Sequence, residues 1–177
     1  MAFPRDMILG EGIFSYGEAL TTSTLTDIGA VRGGGILNIT RTYRKREADG
    51  DYGFVKGRIA IDDEVATLTI RALEILPAAL NDFYPAMTIV APTTAVLTST
   101  LTGNMEIAAG DYKKVRFTGK TDGGNAVQVT LDNALNMAPL NWEFLDKDEV
   151  VPELVFTATS LEASTTSPSW TITMATT

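Results

Sequence analysis

The chain contains no cysteine and no histidine. Disulfides, Cys/His zinc sites, thiol nucleophiles and histidine proton relays are therefore excluded together, which removes most hydrolytic mechanisms. Carboxylate pairs still allow acid–base chemistry and oxygen ligands still allow magnesium or calcium, so an enzyme is disfavoured without being forbidden. Long apolar runs are missing as well. No stretch of 18 or more apolar residues occurs, and Met1-Ala2-Phe3-Pro4-Arg5-Asp6 has no apolar segment of signal-peptide length. The expectation is a protein made and kept in a cytoplasm, with no membrane partner. Basic charge is also short: 14 Lys and Arg against 22 Asp and Glu leave a formal net charge of −8 and a sequence pI near 4.5. This balance repels phosphate backbones and argues against a protein that grips DNA or RNA. It suits a surface that nucleic acid slides past without sticking.

What the chain has in abundance is alternation. In Ile36-Leu37-Asn38-Ile39-Thr40-Arg41-Thr42-Tyr43 and in Val65-Ala66-Thr67-Leu68-Thr69-Ile70-Arg71, apolar or β-branched residues recur at every second position, as in strands with one buried face. The same pattern predicts strands near 11–17, 25–31, 36–47, 53–61, 65–72, 88–101, 104–109, 112–121, 125–134, 141–145, 151–160 and 168–175. Many short strands separated by Gly, Asn and Asp turns define an all-β sandwich or barrel. One segment departs from the rhythm. Leu76, Leu80, Phe83 and Tyr84 stand at helical spacing behind Pro77 and ahead of Pro85, which predicts a short flanking helix over 77–84. No linker or repeat divides residues 1–177, a length that suits one β domain burying roughly 70% of its unfolded surface.

Residues 36–62 are the most informative. Two long strands flank Glu47-Ala48-Asp49-Gly50-Asp51-Tyr52-Gly53, and Asp-Gly pairs supply the positive φ of hairpin turns. A hairpin of this length is expected to protrude from so small a domain. Seven of the 14 basic residues, Arg32, Arg41, Arg44, Lys45, Arg46, Lys56 and Arg58, lie on or near it. Residues 132–162 carry Asp132, Glu143, Asp146, Asp148, Glu149, Glu153 and Glu162 against a single Lys147. Unlike patches that meet head to tail build rings or filaments, and complementary charge fixes their register. The candidate inter-subunit residues are accordingly Arg41, Arg44, Lys45, Arg46, Asp49, Gly50, Lys56 and Arg58 on the arm. Glu143, Asp146, Asp148, Glu149 and Glu153 form the candidate receiver on an adjoining copy. The competing expectation is that both sets are ordinary solvated faces.

Segments with a superficial look of chemistry do not survive inspection. Gly119-Lys120-Thr121 lacks the earlier glycine of a phosphate loop, because position 114 is Lys. Gly33-Gly34-Gly35 lacks dinucleotide spacing and reads as a flexible or bulged lead-in to the strand at Ile36. Asp49-Gly50-Asp51 reads as a turn, and Asp62-Asp63-Glu64 as a solvated connection between strands rather than a metal cluster. Trp142 and Trp170 each stand among expected strand residues without interleaved basic residues, so core or interface packing is expected of them. No nucleophile, base and oxyanion donors assemble, so no catalytic, cofactor-binding or metal-binding residue is assigned and no cofactor is expected.

Three segments carry a family resemblance: Leu9-Gly10-Glu11-Gly12-Ile13-Phe14-Ser15-Tyr16-Gly17, Asp27-Ile28-Gly29-Ala30-Val31-Arg32-Gly33-Gly34, and Tyr43-Arg44-Lys45-Arg46-Glu47-Ala48-Asp49-Gly50-Asp51-Tyr52-Gly53-Phe54-Val55-Lys56-Gly57-Arg58. In these, over roughly residues 9 to 85, the chain resembles major tail tube proteins of long, non-contractile-tailed (siphovirus-type) phages and prophages. The resemblance implies a β-sandwich or barrel with a flanking helix, assembled into hexameric rings that stack as a hollow tube for genome delivery. It implies location in the virion tail after assembly in the host cytoplasm. The implied partners are further copies of the chain and other tail proteins, such as tape measure, tail terminator and baseplate, with DNA passing an acidic lumen without specific binding. It also implies a long hairpin extended between neighbouring subunits, for which 36–62 is the matching segment. A capsid decoration or head–tail connector protein and a carbohydrate-binding β-sandwich module remain alternatives, with a two-carboxylate enzyme behind them.

Overall fold

The computed structural model describes residues 8–20, 24–46, 49, 53, 55–73, 77–90, 100–103, 105–144, 146, 149–161 and 169–175. Its strands are β1 (Ile8–Glu18), β2 (Thr26–Asp27), β3 (Val31–Lys45), β4 (Ile59–Ala72), β5 (Met87–Val90), β6 (Thr100–Gly103), β7 (Lys113–Thr121), β8 (Ala126–Asn136), β9 (Glu153–Ala158) and β10 (Trp170–Met174), with one helix, α1 (Pro77–Phe83). Eight strands form one antiparallel sheet in the order β2-β1-β7-β8-β9-β4-β3, with β10 on β8; β5 and β6 pair separately. The all-β fold with one short helix is as expected.

The sheet closes on itself because the stretch between β2 and β3 changes partner. Thr26 and Asp27 pair with Tyr16 and Ser15 of β1, and the Ile28 amide donates to the Phe14 carbonyl at 2.9 Å. A few residues later the Leu73 amide donates to the Ala30 carbonyl at 2.8 Å, and Val31 stands opposite Ala72 of β4. One segment thus joins the two ends of the sheet in a barrel-like turn, pairing first with β1 and then with β4. Gly29, with a φ of 95°, stands at the change of partner; Gly33 and Gly34 also have positive φ, 76° and 73°, at the irregularity between Val31 and Gly35 in the β3–β4 ladder. The bulged lead-in expected of Gly33-Gly34-Gly35 is what forms.

Closure brings β1 against β3 across the interior. A Cβ on Gly35 would lie 2.6 Å from Phe14 Cζ and 2.9 Å from the Thr69 carbonyl oxygen, so the approach depends on a missing side chain. The core gathers Phe14, Leu68, Ile70, Val115, Leu131, Leu154 and Phe156 from the sheet and Leu80, Phe83 and Tyr84 from the helical segment. Phe83 is the hub on the helix side, edge-on to Tyr16 at 4.7 Å and to Phe156 at 5.9 Å. Asp82 secures the same turn by accepting from Lys113 Nζ at 2.8 Å. The helix expected over 77–84 is therefore present, one residue shorter, and Leu80, Phe83 and Tyr84 face inward as its spacing requires; Leu76 lies outside the described residues.

Other expectations need correction. The strands expected at 53–61 and 65–72 are one strand, Ile59–Ala72, and Asp62-Asp63-Glu64 is no connection but its middle. The hairpin expected over 36–62 consequently runs from Val31 to Ala72. Residues 105–108 and 141–144 form no strand, where 104–109 and 141–145 were expected. Segment 88–101 is not a single strand, because its two ends pair antiparallel, Val90 opposite Thr100. The strand expected at 25–31 reduces to Thr26–Asp27. At 105–108 and 141–144 local alternation existed without a described neighbour able to complete the ladder.

Substituting Gly35 by Ala should cost about 1–3 kcal/mol, since the new methyl must displace the Phe14 ring or the Thr69 backbone. Urea titration of the variant should show a lower midpoint with an unchanged slope.

Candidate assembly interface

β3 and β4 form a hairpin that outruns the rest of the sheet. The ladder between β4 and β9 spans Thr67–Arg71, whereas that between β4 and β3 continues to Ile59 opposite Lys45. Burial follows pairing. Ala66, Leu68, Ile70 and Ala72 are buried, while Ile59, Ile61, Asp62, Asp63 and Val65 are exposed. The outer hairpin is an arm extending beyond the core.

Alternation on β3 is unbroken, so Leu37, Ile39, Arg41, Tyr43 and Lys45 share one face. Their partners are Leu68, Ala66, Glu64, Ile61 and Ile59. The inner two pairs belong to or pack on the core. The Arg41–Glu64 ion pair comes next, and beyond it the apolar stripe resumes in the open: Tyr43, Ile61 and Ile59 are 59%, 56% and 47% exposed. These three were missed from the sequence. Their alternation was visible, but nothing local distinguishes an apolar face that continues past its core from one that stays within it.

Glu64 is the bond between arm and body. Its Oε2 accepts from Arg41, and its Oε1 accepts from Trp170 Nε1 at 2.6 Å. Trp170 opens β10 and stands opposite Leu131 of β8, so the clamp ties the arm root to the centre of the sheet. Arg41 first and Trp170 second hold the Glu64 carboxyl below the usual carboxylate range. Directly outside the clamp the register shifts: Thr42 faces Asp63, Tyr43 faces Ile61, and Asp62 is the extra residue of a bulge that bends the arm.

The expected arm cations divide accordingly. Arg41 is held by Glu64, and Arg44 meets Asp62 at 3.2 Å. Lys45 ends β3; the Arg46 amide donates to the Arg58 carbonyl at 2.8 Å, closing the ladder. Lys56 is exposed in a turn beyond it, as is Asp49, while Gly50 lies outside the described residues. Charge on the arm is smaller than the cation count suggested. From Arg44 to Arg58 there are five basic and three acidic residues, and Asp62, Asp63 and Glu64 add acid at the root.

The acidic segment lies at the opposite end of the hairpin. Glu153 opens β9 opposite Arg71 and pairs with it at 3.4 Å, and Glu149 pairs with Arg32 at 3.4 Å. Asp146 is exposed, and Asp148 lies outside the described residues. Between Glu143 and Glu153 opens a groove of about 450 Å³ whose apolar lining includes Met137, Pro139, Val151 and Val155. Asn136, 2% exposed, braces two of the lining residues from within. Its Oδ1 accepts from the Ala138 amide at 3.1 Å and the Val155 amide at 3.0 Å, and the Met137 amide donates to the Val155 carbonyl at 3.1 Å. Beside the groove Trp142 and Phe144, 41% and 77% exposed, meet edge to face at 6.2 Å. Trp142 is thus on a non-strand segment, contrary to expectation, whereas Trp170 is on a strand and packs against the core.

Among the described residues no cluster of three or more carboxylates could hold a metal ion, and no helix is long and apolar enough to cross a membrane. No protein-family model matches the chain, and no curated protein matches it.

Two measurements check this geometry. Replacing Asn136 by Ala leaves two buried amides without their acceptor and should lower stability by about 2 kcal/mol in chemical denaturation. The second concerns pH. Because the folded Glu64 carboxyl is depressed, the clamp is fully formed above the ordinary carboxylate range and is lost as pH falls through the depressed value. In a Trp142→Phe background, Trp170 fluorescence should change with a midpoint below that of an unperturbed glutamate, and Glu64→Gln should abolish the transition.

Proposed function

We propose that this chain is a structural subunit that polymerises head to tail into the stacked rings of a phage tail tube, a conduit for genome delivery, and that it is not an enzyme. One observation carries the reading: the arm and the acidic groove lie at opposite ends of the same strands. Thr69, beside Val155 of the groove, is ten residues along β4 from Ile59 of the arm, or roughly 33 Å. An arm cannot enter its own groove, and unlike surfaces on opposite ends generate rings or filaments rather than closed symmetric dimers. The tail-tube resemblance supports the same reading, since its three segments fall on β1, on the closing segment and on the arm. A net charge of −8 suits a wall that DNA must pass without binding.

Magnitudes decide what drives association. Exposed ion pairs contribute about 0–1 kcal/mol each and several arm cations are already paired within the chain. Tyr43, Ile59 and Ile61 are already about half covered in the free subunit, so covering the remainder is worth about 0.7–1.5 kcal/mol apiece before the cost of association. The apolar stripe supplies the affinity, and charge sets orientation and rate. A carbohydrate-binding module would use the exposed aromatics, but Trp142 and Phe144 stand at 84° to one another and offer no shared flat platform for a sugar ring.

Sedimentation and negative-stain electron microscopy of the purified protein at high concentration should reveal hollow polymers. Ile59→Asp with Ile61→Asp should abolish growth and leave circular dichroism unchanged, because both side chains are exposed in the free subunit. Arg46→Glu with Lys56→Glu should only slow growth. A wild-type protein that stays monomeric, or forms small closed oligomers like a decoration protein, would overturn the reading.

A further inference from the structure

We infer that the groove between Glu143 and Glu153 is the docking site for the arm of a second copy, with the Tyr43 ring and the Ile61 side chain seated against Met137, Val151 and Val155. The inference rests on the head-to-tail reading and adds the surface at which it happens. Three features fit together. In shape, a groove of about 450 Å³ is within the size range of sites that enclose a few side chains, and two of its lining residues, Ala138 and Val155, are held by Asn136 before any partner arrives. In polarity, Met137, Ala138, Pro139, Val151 and Val155 line the groove with Asn141 and two carboxylates, and the arm offers an apolar stripe followed at once by Lys45 and Arg46. In charge, residues 143–153 carry five acidic side chains and one basic, whereas the arm end from Arg44 to Arg58 has the reverse excess.

Glu143 and Glu153 on the rim would meet Lys45 and Arg46 of the incoming arm. Glu153 is held meanwhile by Arg71 in an exposed pair, so exchanging one cation for another is a small change at the surface. The clamp at Glu64 and the bulge at Asp62 fix the angle at which the stripe is offered. Ordering the arm root before contact lowers the conformational cost of docking.

The chain has no cysteine, so introduced thiols report contact without background. Tyr43→Cys is combined with Met137→Cys in one full-length chain, and Ile61→Cys with Val151→Cys in a second. A chain with one thiol stops at covalent dimers, whereas a head-to-tail contact through both sites yields a ladder of trimers and larger species on mild oxidation. The expected result is that ladder from at least one pair, together with polymers. If both pairs block growth while an Ile172→Cys control polymerises normally, the two surfaces are required for growth and the inference is again supported. Polymers of both double variants without covalent species beyond the dimer would overturn the groove assignment and leave head-to-tail assembly standing. Failure of the wild-type chain to polymerise would overturn both.

Discussion

The ladder between β4 and β9 stops at Thr67 while that between β4 and β3 continues to Ile59, and the rest of the molecule is arranged around this inequality. Within the doubly paired part and at its two ends, alternate β4 side chains are buried at Ala66, Leu68, Ile70 and Ala72. Beyond it the same alternation has no opposing layer, and its apolar members face solvent. An extended two-stranded ribbon is marginal by itself. Here it is stiffened by cross-strand ion pairs, Arg41–Glu64 and Arg44–Asp62, and anchored through Trp170 to the sheet. Basic side chains and a bulge along an exposed ribbon are also what discourage indiscriminate edge pairing.

The other end of the hairpin is governed by a different requirement, the satisfaction of buried polar groups. After Asn136 the chain leaves β8, and the backbone amides of Ala138 and Val155 both find their acceptor in one buried side-chain oxygen. The groove above that oxygen is therefore a consequence of how β8 ends and β9 begins. Of its rim carboxylates, Glu153 has a local partner in Arg71, as the neighbouring Glu149 has in Arg32. In the assembly proposed for these pieces, affinity would come from apolar contact and direction from charge, since each exposed ion pair would merely exchange one partner for another.

Much of the fold was legible because periodicity and packing agreed. Leu80, Phe83 and Tyr84 have helical spacing and are buried; Gly33 and Gly34 have the positive φ that their run suggested. Failures cluster where local chemistry mimicked a different environment. Asp62-Asp63-Glu64 has the composition of a turn, yet a strand outside the core has no reason to exclude carboxylates, and Glu64 finds both Arg41 and Trp170 there. Residues 141–144 alternate without a neighbouring strand to accept their backbone. Of the interface candidates, the charged residues were found by counting. Tyr43, Ile59, Ile61 and Met137 were not, because burial is a property of the neighbours and not of the residue.

The sequence by itself determined the all-β class, the short helix, the long hairpin and the uneven distribution of charge, since each is written in spacing, turn residues or composition over a few consecutive positions. Tertiary structure alone decided that residues 26–31 close the sheet, that Glu64 joins arm to body, and that the arm and groove point in opposite directions. Those outcomes depend on which strand lies beside which. Pairing between residues 106 positions apart, as Glu64 and Trp170 are, leaves no local periodicity to read.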